Sequence, residues 1–191
     1  MAGAIEKLRN SLSENVSEEK RKYILEGYDK ITDNSKKSFK SDFFINVCKK
    51  MDEVLDESEK IKIREVCACC TGGWREKAVK KINRNFSSVE EIISALNEVT
   101  HLGFPKLNYD GTITAGIGPD TGCYCACAVF NGAGLTQPSF PVSKTYCYCC
   151  AGHFKYLYQF AFAKELEIVE IVSSSLESMA QKPCRFKYRF K

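Results

Sequence analysis

Cys184-Arg185-Phe186-Lys187-Tyr188-Arg189-Phe190-Lys191 alternates apolar and basic residues without a break. Side chains of an extended chain point to opposite faces in turn, so Cys184, Phe186, Tyr188 and Phe190 share one face and the four cations share the other. The pattern predicts a strand with Cys184 directed inward. Its basic row reads as the solvated face of an edge strand, where charge guards against aggregation. A nucleic-acid partner is not implied, because 28 Lys and Arg against 24 Asp and Glu leave only +4, too small a surplus unless gathered in one patch.

Upstream of that strand, Leu166 to Ser173 reads as a buried strand and Ala151 to Lys164 as an aromatic-rich helix. Further strands are expected near Cys123–Phe130 and Val142–Cys147. Asn108-Tyr109-Asp110-Gly111-Thr112, between strand-like flanks in Lys106–Ile117, carries the Asp-Gly hairpin signal. Seven of the twelve glycines fall between Gly103 and Gly134, where alternation replaces helical spacing.

Before Thr100 the grammar is helical. Tyr23, Ile24, Gly27, Tyr28 and Ile31 recur at spacings of three and four behind an N-cap at Ser17. Phe39, Phe43, Phe44, Val47, Cys48 and Met51 predict a second helix, and Ser58–Val66 a third that stops at the run Cys67–Gly73, whose glycines are expected to supply the left-handed cap. Trp74–Asn85 and Val89–Val99 follow, the latter opened by a capping box of Ser87 with Glu90. The expected fold class is α+β: a helical half, residues 1–100, packed with a C-terminal antiparallel sheet carrying one long helix, residues 101–191, in one compact unit.

Eleven of 191 residues are cysteine, and nine of them cluster as Cys67, Cys69 and Cys70, then Cys123, Cys125 and Cys127, then Cys147, Cys149 and Cys150. The start of the chain is charged from Glu6 onward and lacks the apolar run of a secretory signal. Between Asp120 and Lys144 there is no charge, but prolines, glycines and hydroxyls exclude a membrane span. The sequence therefore reads as cytoplasmic, where dense thiols serve metal or redox chemistry rather than a disulfide framework. Both outer clusters contain C-x-x-C, a spacing that lets one turn present two thiolates to an ion. Thiolates suit zinc, cuprous copper and iron–sulfur clusters. No cluster has ferredoxin spacing, which ranks Zn2+ ahead of an iron–sulfur cluster. Cys48, alone on an apolar helix face, reads as core; Cys184 joins the metal set.

His153 lies three residues after Cys150 and four after Cys149, so a helix would set its imidazole over them as a ligand or base. A helix start also favours the thiolate of Cys149 or Cys150. His101 lacks such company and reads as a surface residue.

The run Tyr146-Cys147-Tyr148-Cys149-Cys150-Ala151-Gly152-His153, the helix after it, Glu167 to Ser173 with Glu170, and Cys184-Arg185-Phe186 resemble the end of four-vinyl-reductase-type domains; a related pattern closes aminothiazoline-carboxylate hydrolase-like proteins. The resemblance spans about 45 residues. It matches Glu170 to the family's acidic residue, Cys184 and Phe186 to its C-x-F, and Gly152 to its helix-start glycine. Ser173 stands where the family has cysteine, and Ser174–Pro183 replaces a short glycine turn. The resemblance implies helices on an antiparallel sheet, often a dimer, holding a small apolar molecule or a metal near the cysteines.

Two functional expectations follow. One is a metal-binding, small-molecule-binding or sensing protein, with Tyr124, Tyr148, Phe154 and Tyr158 lining a ligand pocket beside the cysteines. The other is a cysteine-dependent hydrolase or redox enzyme, with Cys149 or Cys150 as nucleophile, His153 as base and Glu170 as orienting acid.

Overall fold

The computed structural model describes residues 3–68, 71–117, 125, 127 and 140–191. Among these it contains helices α1 (Ala4–Asn15), α2 (Glu18–Leu25), α3 (Lys37–Val54), α4 (Glu57–Glu65), α5 (Gly73–Asn85), α6 (Val89–Asn97) and α7 (Tyr148–Phe162). The strands are β1 (Lys106–Leu107), β2 (Ile113–Gly116), β3 (Leu166–Ser173) and β4 (Arg185–Phe190). The fold is α+β, with helices in the N-terminal half and the antiparallel sheet towards the C-terminus.

Local signals set the helix starts. The Ser17 hydroxyl accepts from Lys20 N–H, and Asp56 with Glu59 closes a capping box on α4. On α6 the box is Ser88 with Glu91 rather than Ser87 with Glu90, because Ser88 is the residue that holds the extended cap conformation. Helix α2 stops at Leu25, earlier than the spacing through Ile31 predicts, and Gly27 turns the chain at φ +86°. Gly72 and Gly73 also have positive φ, but they open α5; α4 instead ends at Val66 in right-handed geometry.

The Asp-Gly signal gives the expected hairpin. Asn108 N–H donates to Thr112 O at 2.8 Å, Gly111 takes φ +76°, and Asp110 Oδ1 accepts from Thr112 N–H at 3.1 Å. The sheet order is β1-β2-β4-β3, every neighbouring pair antiparallel. Strand β4 is therefore central, not an edge, because β2 claims its second side. Its basic row is consumed by neighbours: Lys187 pairs with Asp110 at 3.0 Å and Arg189 with Glu167 at 3.2 Å. Cys184, Phe186 and Tyr188 do face inward and are buried.

Val142–Cys147 is not a strand. The Ser143 hydroxyl accepts from Thr145 N–H and winds Lys144–Cys147 into a 3-10 turn that runs straight into α7, so the long helix begins at Tyr148 rather than Ala151. Thr145, Tyr146 and Cys147 are all buried, which leaves no alternation to support a strand. The strand expected near Cys123–Phe130 falls mostly outside the described residues.

Two apolar clusters form the interior, and each draws on both sides of residue 100. One joins α5, α6, α7 and the sheet through residues such as Val79, Leu96, Leu157, Phe186 and Tyr188. The other joins α1–α4 with Cys125, Val142, Tyr146 and Leu176. Helix α7 lies between them, held to the sheet by Tyr188 Oη donating to Ala151 O at 3.0 Å. Against α4 it fits only because residue 152 is glycine: a Cβ there would stand 2.1 Å from Glu65 O.

Candidate thiol centre

Five separate stretches bring sulfur to the seam between α4 and the start of α7. Cys48 comes from α3, Cys67 from the turn after α4, Cys125 and Cys127 from the following segment, Cys147 and Cys149 from the entry to α7, and Cys184 from β4. All eight described cysteines are free thiols. Cys69, Cys70 and Cys123 lie outside the described residues, as does Tyr124.

At the middle of one group is Arg64, 1% exposed. Its Nε donates to Thr145 O at 3.3 Å and its Nη2 to Tyr146 O at 3.1 Å, and its guanidinium lies over the Phe44 ring at 5.2 Å. Nη1 has no hydrogen-bond acceptor among the described residues. Burial opposes the guanidinium charge, but Cys48, Cys149, Cys67 and Tyr146 around it raise its pKa above the ordinary arginine value. The same proximity acts in reverse on the thiols. Burial pushes Cys48 up to about 11 and Cys149 up to about 12, with Arg64 pulling both down. Burial also raises Cys67, again against Arg64, and its thiol donates to Ile63 O at 3.3 Å. A thiolate at Cys149 favoured by the helix start is therefore opposed by desolvation.

A second group forms where the entry to α7 meets β4. Cys147 Sγ lies 3.2 Å from Ser174 Oγ, and Cys184 Sγ lies 3.2 Å from Ser175 Oγ and accepts from Ser175 N–H at 3.5 Å. The neighbouring Cys184 side chain, then burial, raises Cys147. The Cys147 side chain lowers Cys184, with the Ser175 hydroxyl and N–H acting in the same direction against burial. Cys125 and Cys127 stand between the groups. Cys127 N–H donates to Cys125 Sγ at 3.4 Å, and Cys127 Sγ and Tyr146 Oη form a hydrogen-bonded pair at 3.4 Å. The Cys127 side chain, then burial, raises Cys125, whereas the Cys127 N–H bond lowers it. Peptide N–H bonds to sulfur are the contacts that tune metal-bound thiolates.

The fold thus pairs sulfurs mostly between clusters. Cys147, Cys149 and Cys150 diverge: Cys147 turns to Cys184, Cys149 to Arg64, and Cys150 to the sheet side, where it influences Tyr158 and Tyr188. His153 is 8% exposed and packs at 5.3 Å from the Phe154 ring. Glu170 is exposed on β3 opposite Lys187, so the acid of the enzyme reading sits towards solvent. Tyr148, Phe154 and Tyr158 are packed into the interior rather than lining a cavity; Tyr158 Oη donates to Leu102 O at 2.7 Å and Tyr148 Oη donates to Glu57. Among the described residues no group of three or more His, Cys, Asp or Glu side chains is arranged to hold a metal ion.

Arg64, Tyr146, Ser174 and Ser175 were not legible as site residues from motif spacing, and Cys48, read as core, is both buried and part of the thiol set. One signal was present. Arg64 precedes Cys67 by three residues, the spacing that puts both on one helical face. No family model matches the chain, and no curated protein or solved structure matches it either. No helix among the described residues is long and apolar enough to cross a membrane.

Proposed function

We propose that this chain is a thiolate-based metal-binding protein, with zinc ahead of an iron–sulfur cluster, acting as a sensor or binding module. The observation that supports it is the approach of cysteines from five stretches: Cys48, Cys67 and Cys149 around Arg64, and Cys147 beside Cys184, with Cys125 and Cys127 between the two groups. Chance burial of small apolar residues accounts for single cysteines such as Cys48, but not for convergence from five stretches. Structural zinc contributes on the order of 10 kcal/mol to folding, ample to hold α4, the α7 entry and β4 together.

The small-molecule part of the reading has a modest site. A groove of about 190 Å³ runs along Glu65, Val66, Ala68, Thr71, Gly152, Lys155, Tyr156 and Gln159, below the usual range of about 300–1,000 Å³ for ligand pockets. The deciding experiment is elemental analysis of protein purified without oxygen. Stoichiometric zinc in a colourless sample supports the proposal, brown protein with iron and sulfide selects the cluster form, and metal-free protein with one rapidly alkylated cysteine overturns it in favour of the enzyme reading.

A further inference from the structure

We infer that the exposed side of α5 is a binding track for single-stranded nucleic acid, with Lys77, Lys81 and Arg84 meeting the phosphates and Trp74 stacking on a base. The inference is independent of whether the thiols hold metal. Helix α5 carries five cations, Arg75, Lys77, Lys80, Lys81 and Arg84, against one carboxylate, Glu76. The rest of the chain is balanced, with 23 cations (28 less 5) and 23 acids (24 less 1), so the whole net charge of +4 resides on this helix. That is the gathering in one patch which a polyanion partner requires. Glu76 is engaged by Lys80 at 2.5 Å and accepts from Tyr156 Oη at 2.6 Å. Lys77, Lys81 and Arg84 are exposed and form no ion pair with any described residue. Like charges at spacings of three and four disfavour a helix, so the stripe does not serve the fold.

At the head of the stripe stands Trp74, the only tryptophan in the chain and 54% exposed. The Arg75 guanidinium lies over its ring at 5.3 Å. An exposed indole backed by arginine is a stacking platform for any base, and cations in line with it follow the strand's backbone. At 1.5 Å of rise per residue, Trp74 to Arg84 spans about 15 Å. The neighbouring helix selects among polyanions. Helix α6 packs against α5 and exposes Glu90, Glu91 and Glu98. A flat anionic membrane would meet those carboxylates together with the cations, whereas a narrow strand can follow α5 alone. Single strands also leave base faces open to Trp74, which a stacked duplex does not.

Because Trp74 has no other tryptophan to mask it, its emission reads binding directly. The full chain is titrated with 12-nucleotide oligothymidylate DNA and oligouridylate RNA, and quenching by either supports the inference, the two arms telling DNA from RNA. With three phosphate contacts, log affinity should fall against log salt with a slope of about −2. Lys77→Gln/Lys81→Gln/Arg84→Gln keeps good helix formers. It should flatten that slope and weaken binding on the order of 100-fold at about 50 mM salt. Trp74→Ala, followed by anisotropy of a labelled oligonucleotide, should weaken it roughly 5–150-fold. Lys30→Gln/Lys36→Gln/Lys37→Gln removes the same charge from exposed positions outside α5 and should bind as wild type does. Equal weakening in that control would overturn the inference by showing net charge alone at work. So would unquenched emission with both oligonucleotides, including the case in which only phosphatidylserine vesicles shift it.

Discussion

Replacing Gly152 with alanine tests the seam on which the thiol centre depends. The new Cβ would lie 2.1 Å from Glu65 O and 2.7 Å from Glu65 Cα, well inside van der Waals contact. The obstruction is backbone at the end of α4, so no rotamer change relieves it, and α4 and α7 must separate. Overpacking of this kind costs about 1–3 kcal/mol, and rigid backbone on the receiving side argues for the upper end. Alanine recovers roughly 0.5–1 kcal/mol of helix propensity. The net loss is then about 2 kcal/mol, which for a chain of this size lowers Tm by about 4–8 °C. Because Arg64 and Cys67 lie at the end of α4 and Cys149 at the start of α7, zinc content should fall with Tm. Calorimetry and elemental analysis of Gly152→Ala beside wild type read both. An unchanged Tm would refute the close approach, and a lowered Tm with full zinc content would refute the link between this contact and the thiols.

Thr145→Val removes a buried hydroxyl that donates to Asp52 Oδ1 at 2.6 Å. A bond to a charged acceptor is worth about 1.5–3 kcal/mol, and partial exposure of Asp52 places the expected loss near the lower figure; urea midpoints with an unchanged slope would show it. Ser174→Ala removes an acceptor for Leu176 and Glu177 N–H, both at 3.2 Å, and the hydroxyl beside Cys147. It should cost about 1 kcal/mol, whereas a neutral result in thermal melts would show that the turn after β3 closes without it. Asp110 is held well below the usual carboxylate range, first by the Thr112 hydroxyl and then by Lys187. A depressed folded-state pKa adds stability above the unfolded value of about 3.9 and loses it as pH falls further. Wild type should therefore lose stability relative to Asp110→Asn below about pH 4, while parallel pH profiles would show that the hairpin carboxylate plays no part.

Periodicity and turn chemistry carry most of the architecture. Residues 184–191 place Cys184, Phe186 and Tyr188 inward because strict alternation leaves no other register, and Asp110-Gly111 turns the chain because glycine tolerates the positive φ there. The position of β4 in the sheet was not legible, since a basic row suits an exposed edge as well as a central strand whose charges meet Asp110 and Glu167 across the sheet. The 3-10 turn at Lys144–Cys147 is not legible in the sequence because its cap, Ser143, acts over two residues, too short a span to interrupt an extended-looking run. At the site, clustering pointed to the right atoms but not to their partners. Sequence spacing invites pairing within C-x-x-C, whereas the 100° step between successive helical residues sends Cys149 and Cys150 to different neighbours. Arg64 was hidden among the ordinary charges of α4, because burial of a cation depends on packing from α3 and the α7 entry that no local pattern reports.

The most direct measurement is X-ray absorption at the zinc edge on protein purified anaerobically. Three or four sulfur scatterers at about 2.3 Å are predicted by the present account. A first shell dominated by nitrogen or oxygen, or a protein that holds no metal, would contradict it.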